Sequence, residues 1–208
     1  MSVLGRTASR ARGNRGFSYI ELVVVMLLMG TMAAVTVPRA LRSTPMADVD
    51  RTARQLARDM EQVRMRAMAS KRTVRVTFDQ SSGFYAAFMD ISTLRTGTFS
   101  ETVAEARQAR LLARGSKGGI PGVLLPKRVK FGTGSVSGLG PLEDAISGAI
   151  GLAGNKVDFD ARGMATPVGT KGTIYITHEN DPSAVAAITI SGAGSFQAWR
   201  YRDGSWQR

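Results

Sequence analysis

From Phe17 to Val37 the chain runs for 21 residues with a single charged position, Glu21. Wound as a helix, this run would be about 31 Å long, close to the thickness of a bilayer's hydrocarbon core. Arg15 precedes it, and Arg39 and Arg42 follow, so the basic asymmetry that orients many spans is weak here. From Ala47 to Ala69 polarity repeats with a helical period. Val49, Ala53, Leu56, Met60, Val63 and Ala67 fall at steps of 4, 3, 4, 3 and 4 and form one apolar stripe. Arg51, Arg54, Arg58, Glu61 and Arg64 lie off that stripe. Thr44 before Pro45 predicts a helix start, with a hydroxyl cap and proline at the first helical position. The two segments predict a long rod with irregularity around Pro38 and Pro45.

After Ser70 the period drops to two. Val74, Val76 and Phe78 alternate with polar residues, Ser81-Ser82-Gly83 reads as a turn, and Phe84 to Ile91 as a returning strand. Further strands are predicted at Arg128–Phe131, Lys156–Phe159, Thr173–Thr177, Ala186–Ser191 and Ser195–Tyr201. Thr93 to Gly122 is polar, with a short helix predicted at Glu101–Ala113, and 132–154 is a glycine-rich loop. The predicted fold class is α+β, a long N-terminal helix on an antiparallel β-rich head. The division of the chain is 1–16, 17–37, 38–70 and 71–208.

Composition narrows the chemistry. Cysteine is absent, so there is no disulfide, thiolate metal site or cysteine nucleophile. His178 is the single histidine, which excludes multi-histidine metal sites. No phosphate loop or nucleophile arrangement is present, so neither enzyme activity nor a cofactor or metal is expected. The formal charge is +12, and four arginines, Arg6, Arg10, Arg12 and Arg15, fall in the first 16 residues without an acid. A chain this basic meets anionic lipid, nucleic acid or an acidic partner, or simply carries a solvated basic surface.

Glu21 is the anomaly in the apolar run. A charge at the centre of a bilayer helix costs about 2.5–3.5 kcal/mol on insertion scales, less near the end, so a retained acid calls for a partner. Met32-Ala33-Ala34 could pose as a signal-peptide site, but the run is too long for one and contains this carboxylate. The stretch Arg15-Gly16-Phe17-Ser18-Tyr19-Ile20-Glu21-Leu22 resembles the prepilin motif: a basic leader, glycine, an apolar residue, and glutamate four positions later. Gly30 and Pro38 also stand where pilin-like helices commonly carry glycine and proline. The resemblance implies that a prepilin peptidase cuts between Gly16 and Phe17 on the cytoplasmic side and methylates the new Phe17 amine. Residues 1–16 would then be a cleaved leader and 17–37 a transmembrane and assembly helix. The helix would anchor a periplasmic head to the bacterial inner membrane until the subunit joins a filament of other pilin-like chains. Glu21 would then stand one helical turn from the Phe17 amine of its own subunit, or, between staggered subunits, could instead neutralise the Phe17 amine of a neighbour. Met26, Met29 and Met32, with Gly30, Ala33 and Ala34, suit either close helix packing or lipid contact.

The head is similar to the GspH/FimT family of minor pseudopilins and minor pilins. The resembling features are the Arg/Ala-rich helix ending at Ala69, Leu124-Leu125-Pro126 before Val129–Phe131, and the turn Phe159 to Gly163. The family's closing Gly-Arg turn stands here as Gly192-Ala193-Gly194-Ser195, without the arginine. The resemblance implies a minor subunit of a type II secretion or type IV pilus filament, with a DNA-binding minor pilin of an uptake pilus as the alternative.

Three further groups need weighing. Trp199, Arg200, Tyr201 and Arg202 interleave stacking faces with cations, as nucleic-acid contact requires; equally, they fit a last strand with aromatics inward and arginines in water. His178 to Pro182 offers oxygens for calcium but lacks the spacing of a calcium loop and reads as a turn. Asp158 and Asp160 share one face of a strand and are expected to face solvent.

Overall fold

The computed structural model describes residues 18–40 and 44–208, with side chains for all of these except 35–40. Gly16 and Phe17 lie outside the described residues, as does the side chain of Pro38. The chain divides into two compact units that meet at Ser43/Thr44.

The first unit contains helix α1, Tyr19–Ala40, which is helical through both Gly30 and Pro38. Its apolar side chains from Tyr19 to Met32 are exposed on every side, from 40% at Val25 to 84% at Tyr19. Among the described residues no helix is long and apolar enough to cross a membrane. The run predicted for that role, 17–37, extends beyond the described side chains at both ends.

The second unit opens with helix α2, Pro45–Ser70. Thr44 caps it as expected, its hydroxyl accepting from the Ala47 amide at 3.3 Å, and Pro45 takes the first turn. All six residues of the predicted stripe, Val49 to Ala67, are fully buried. Lys71 ends the helix in the left-handed conformation.

Two antiparallel sheets follow. The first comprises β1 (Val74–Asp79), β2 (Phe84–Met89), β3 (Gly115–Lys117), β4 (Ile120–Leu124), β6 (Lys156–Phe159) and β7 (Ala165–Thr166), ordered β3-β4-β2-β1-β6-β7. The second comprises β5 (Val129–Phe131), β8 (Gly172–His178), β9 (Asp181–Ile190), β10 (Phe196–Arg202) and β11 (Ser205–Gln207), ordered β11-β10-β9-β8-β5. Helix α2 packs on β8, β9 and β10 and also reaches β1, β5 and β6, so its stripe is the centre of a core shared by both sheets. Every residue of that core lies in the second unit, which therefore carries its own hydrophobic interior.

Strand β2 is buried along its whole length because both of its faces are covered. Tyr85, Ala87 and Met89 face the main core. Phe84, Ala86 and Phe88 pack instead under Ala106 of helix α3 (Val103–Ala109), with Phe99 and Ile120.

The polar segment 93–122 holds more structure than its composition predicts. Its helix is shorter than the expected Glu101–Ala113 and starts at a capping box, in which Thr102 and Glu105 each accept from the other's backbone amide. The β3–β4 hairpin turns on Gly118-Gly119, both at positive φ. The glycine-rich 132–154 segment is pinned to β8: the Tyr175 amide donates to the Ala149 carbonyl at 2.8 Å, and Gly151 to Thr173 at 2.7 Å. β9 begins at Asp181, five residues earlier than expected.

Candidate functional site

Glu21 sits in the first turn of α1, where the Leu22 amide donates to the Ser18 carbonyl at 3.1 Å. A carboxylate there complements the positive end of the helix dipole. Around it and beyond, Tyr19, Ile20, Leu22, Val23, Val24, Val25, Met26, Leu27, Leu28 and Met29 expose between 40% and 84% of their surface. A helix apolar on every side is stable only in lipid or among other apolar helices. Gly30 has no neighbour within 4 Å of where a Cβ would stand, leaving room for a close approach from outside. The surface is thus a uniform apolar cylinder with one carboxylate near its described end.

The tail residues do not form an inward aromatic face. Residue alternation on β10 sends Arg200 toward α2, where its guanidinium donates to Asp50 at 2.8 Å. Trp199 and Tyr201 take the opposite face of the second sheet. The Trp199 indole donates to the Thr189 hydroxyl at 3.0 Å, and Arg208 lies over its ring at 4.8 Å. Tyr201 packs against Trp206, which in turn packs against Tyr175 and donates to the Leu139 carbonyl at 3.0 Å. The aromatics therefore clamp β11 and the 132–154 segment onto the sheet, and of the two β10 arginines Arg202 is the exposed one, 67% at its side chain. β11 was not expected. Its Asp203-Gly204 turn, with φ positive at both residues, is a hairpin signal that the aromatic–arginine pattern overshadowed.

Asp158 and Asp160 do not share a solvated face. Asp158 accepts two bonds from Arg75, at 2.7 and 2.8 Å, and these, more than any other contact, keep the guanidinium charged. Arg75 also lies over the Phe99 ring at 4.4 Å. Asp160 closes the turn that follows, accepting from the Arg162 and Met164 amides. Of the His178–Pro182 segment, Glu179-Asn180 is the turn between β8 and β9; the Asn180 amide donates to His178 Nδ1, and Asp181, the first residue of β9, accepts from Ser183.

That Phe159–Gly163 turn meets the closing glycine turn directly. Gly163 and Gly194 both have positive φ, and a Cβ on Gly194 would overlap the Gly163 carbonyl oxygen. Arg64 of α2 donates to that same oxygen at 3.1 Å. A guanidinium thus stands at this corner after all, supplied by α2 rather than by the Gly192–Ser195 turn.

A helix whose described apolar side chains are exposed, followed by a second, amphipathic helix packed on antiparallel sheets, is a pilin-like fold. The family model described as type II transport protein GspH matches residues 52–194. The chain belongs to the GspH family. Two crystal structures of the type IV minor pilin FimU from Pseudomonas aeruginosa strain PAO1 are similar to it. One is 13% identical, with a TM-score of 0.44 over 77% of this chain and 92% of FimU. The other is 14% identical, with a TM-score of 0.40 over 76% and 95%. Among curated proteins none matches the chain.

Proposed function

We propose that the chain is the precursor of a minor pseudopilin or pilin that assembles, through α1, into a type II secretion or type IV pilus filament. The single carboxylate of Glu21 among the apolar, exposed side chains between Tyr19 and Met32 is the observation that carries this reading. In it, prepilin peptidase cleaves Gly16–Phe17 and methylates Phe17. The helix waits in the inner membrane with the head in the periplasm, then leaves lipid to pack against neighbouring helices. In that low-dielectric bundle an unpaired carboxylate is penalised and a neighbour's Phe17 ammonium is attracted, so the pair fixes the stagger between otherwise interchangeable apolar surfaces. No catalytic step is assigned to it.

Glu21→Gln and Glu21→Leu test this. Both variants should fractionate with membranes like the wild type and lose incorporation into sheared filaments at least tenfold. Wild-type incorporation of either variant removes the pairing role. N-terminal sequencing of the membrane-bound form should begin at methylated Phe17; a start after Ala34 would overturn the precursor reading.

A further inference from the structure

Arginines from two distant parts of the chain converge on a recess at the start of the head. The recess, of about 430 Å³, is lined by Thr44, Asp50, Arg51, Arg54, Arg58 and Arg200, among others. Arg51, Arg54 and Arg58 are spaced three and four apart and share an exposed face of α2. Arg200 arrives from β10, 150 residues after Asp50. Arg54 and Arg200 both donate to the same oxygen of Asp50, at 3.1 and 2.8 Å. Among the described residues the buried Nε–H of Arg200 has no hydrogen-bond partner, and Arg58 meets only a neutral amide oxygen, that of Gln55 at 2.9 Å. Arg208 continues the basic surface on the other side of Arg54 and Arg200. Arg51 also lies 3.5 Å from Asp48, and with Asp50 that sets two carboxylates against four guanidinium groups, so the recess still carries a surplus positive field that a multivalent oxyanion would neutralise.

We propose that this recess docks the head on the phosphate groups of an anionic phospholipid surface. The inference rests on the reading that 17–37 occupies a bilayer. Thr44 on the rim follows Val37 by seven residues, at most about 25 Å of chain, and Arg39 and Arg42 fall within that stretch of sequence. Where the leaflet beside a span is anionic, a basic cluster this near is attracted to it, about fivefold in partitioning per arginine, and the attraction fades within a Debye length. Nucleic acid is the poorer fit. A strand needs a track of cations beside free stacking faces, whereas these arginines gather at one spot, the Trp199 ring lies under Arg208, and Tyr201 packs on Trp206. Docking would hold the head against the bilayer before assembly.

The head Thr44–Arg208, which carries its own core, is sedimented with phosphatidylcholine vesicles and with vesicles rich in phosphatidylglycerol. It should pellet with the second and remain in solution with the first, and the binding should weaken as salt is raised. Arg51→Gln combined with Arg58→Gln removes two exposed arginines, leaves the Asp50 contacts intact and breaks only the long, exposed Arg51–Asp48 pair, worth little to the fold; its partition coefficient should fall about fivefold per arginine at an unchanged melting temperature. Equal partitioning on neutral and anionic vesicles, or wild-type partitioning by the double variant, overturns the proposal. So does arginine-dependent retention on single-stranded DNA by a head that ignores both vesicles. Alkaline extraction of the full chain reads the membrane span separately. A chain that resists extraction while its head ignores anionic vesicles sinks the docking alone, whereas a chain that is extracted sinks the span on which the docking rests.

Discussion

Asp59 lies next to Met60 on α2 with none of its surface exposed. Its carboxylate accepts from Gln55 at 2.9 Å, from the Tyr85 hydroxyl at 2.6 Å, and from Arg114. Burial, and then the Asp59 charge, push the Tyr85 phenol far above its usual range, so it stays a donor. Removing the acceptor strands a buried hydroxyl and breaks a pair whose arginine is half exposed, which softens the cost. Asp59→Ala should therefore lose about 2–3 kcal/mol in urea unfolding. A loss below half a kcal/mol would show that the cluster holds nothing together. Gly194 offers a second test. Gly194→Ala must adopt positive φ and push the Gly163 carbonyl aside, while Gly204, also at positive φ, has nothing within 4 Å. The Gly194 variant should be less stable than Gly204→Ala by more than about 1 kcal/mol.

Among the elements, those with strong periodicity were legible and those made by turn chemistry were not. The α2 stripe follows from six apolar positions at helical spacing, and β1 from strict alternation, because burying one face leaves that imprint. Polar strands leave none. β3 is Gly-Ser-Lys and β4 contains Pro121, so only the Gly118-Gly119 pair betrayed the hairpin. Asp59 was equally invisible, since its partners Tyr85 and Arg114 are remote in sequence. The place of Glu21 could be read from its neighbours alone, whereas the Arg200–Asp50 contact needed the fold.

The β3 hairpin also brings Lys117 to Asp79 at the end of β1. Together with the Ser81 and Ser82 donors, it holds that carboxyl well below the usual carboxylate range. Such a group stabilises the fold fully above its unfolded pKa, and the contribution fades as pH falls through the depressed folded value. The melting temperature of Asp79→Asn should lie below wild type at pH 7, and the gap should begin to close below about pH 4. A gap that is constant with pH would exclude the ion pair as its source. Thr102→Ala, which removes the α3 cap, should cost about 1 kcal/mol at any of these pH values.

For the whole molecule, the two units make separate claims. The interior is confined to residues after Thr44, so the head expressed alone should unfold in one cooperative transition, with the near-ultraviolet signal and the backbone signal lost together. Non-coincident transitions would mean that the head depends on what precedes it. The described part of the chain before it has the opposite character, an apolar surface that no described residue of its own unit covers.

The tie between Asp50 and Arg200 spans 150 residues, and β1 pairs with β6 across some 80. Contacts so far apart close late, because the intervening chain must first be brought together. During synthesis the greasy side of α2 therefore stays bare until β9 and β10 have been made. A chain interrupted before residue 190 should be cleared by proteases, whereas one that lacks only the last few residues should accumulate. Pulse-labelling of nested truncations would locate that threshold.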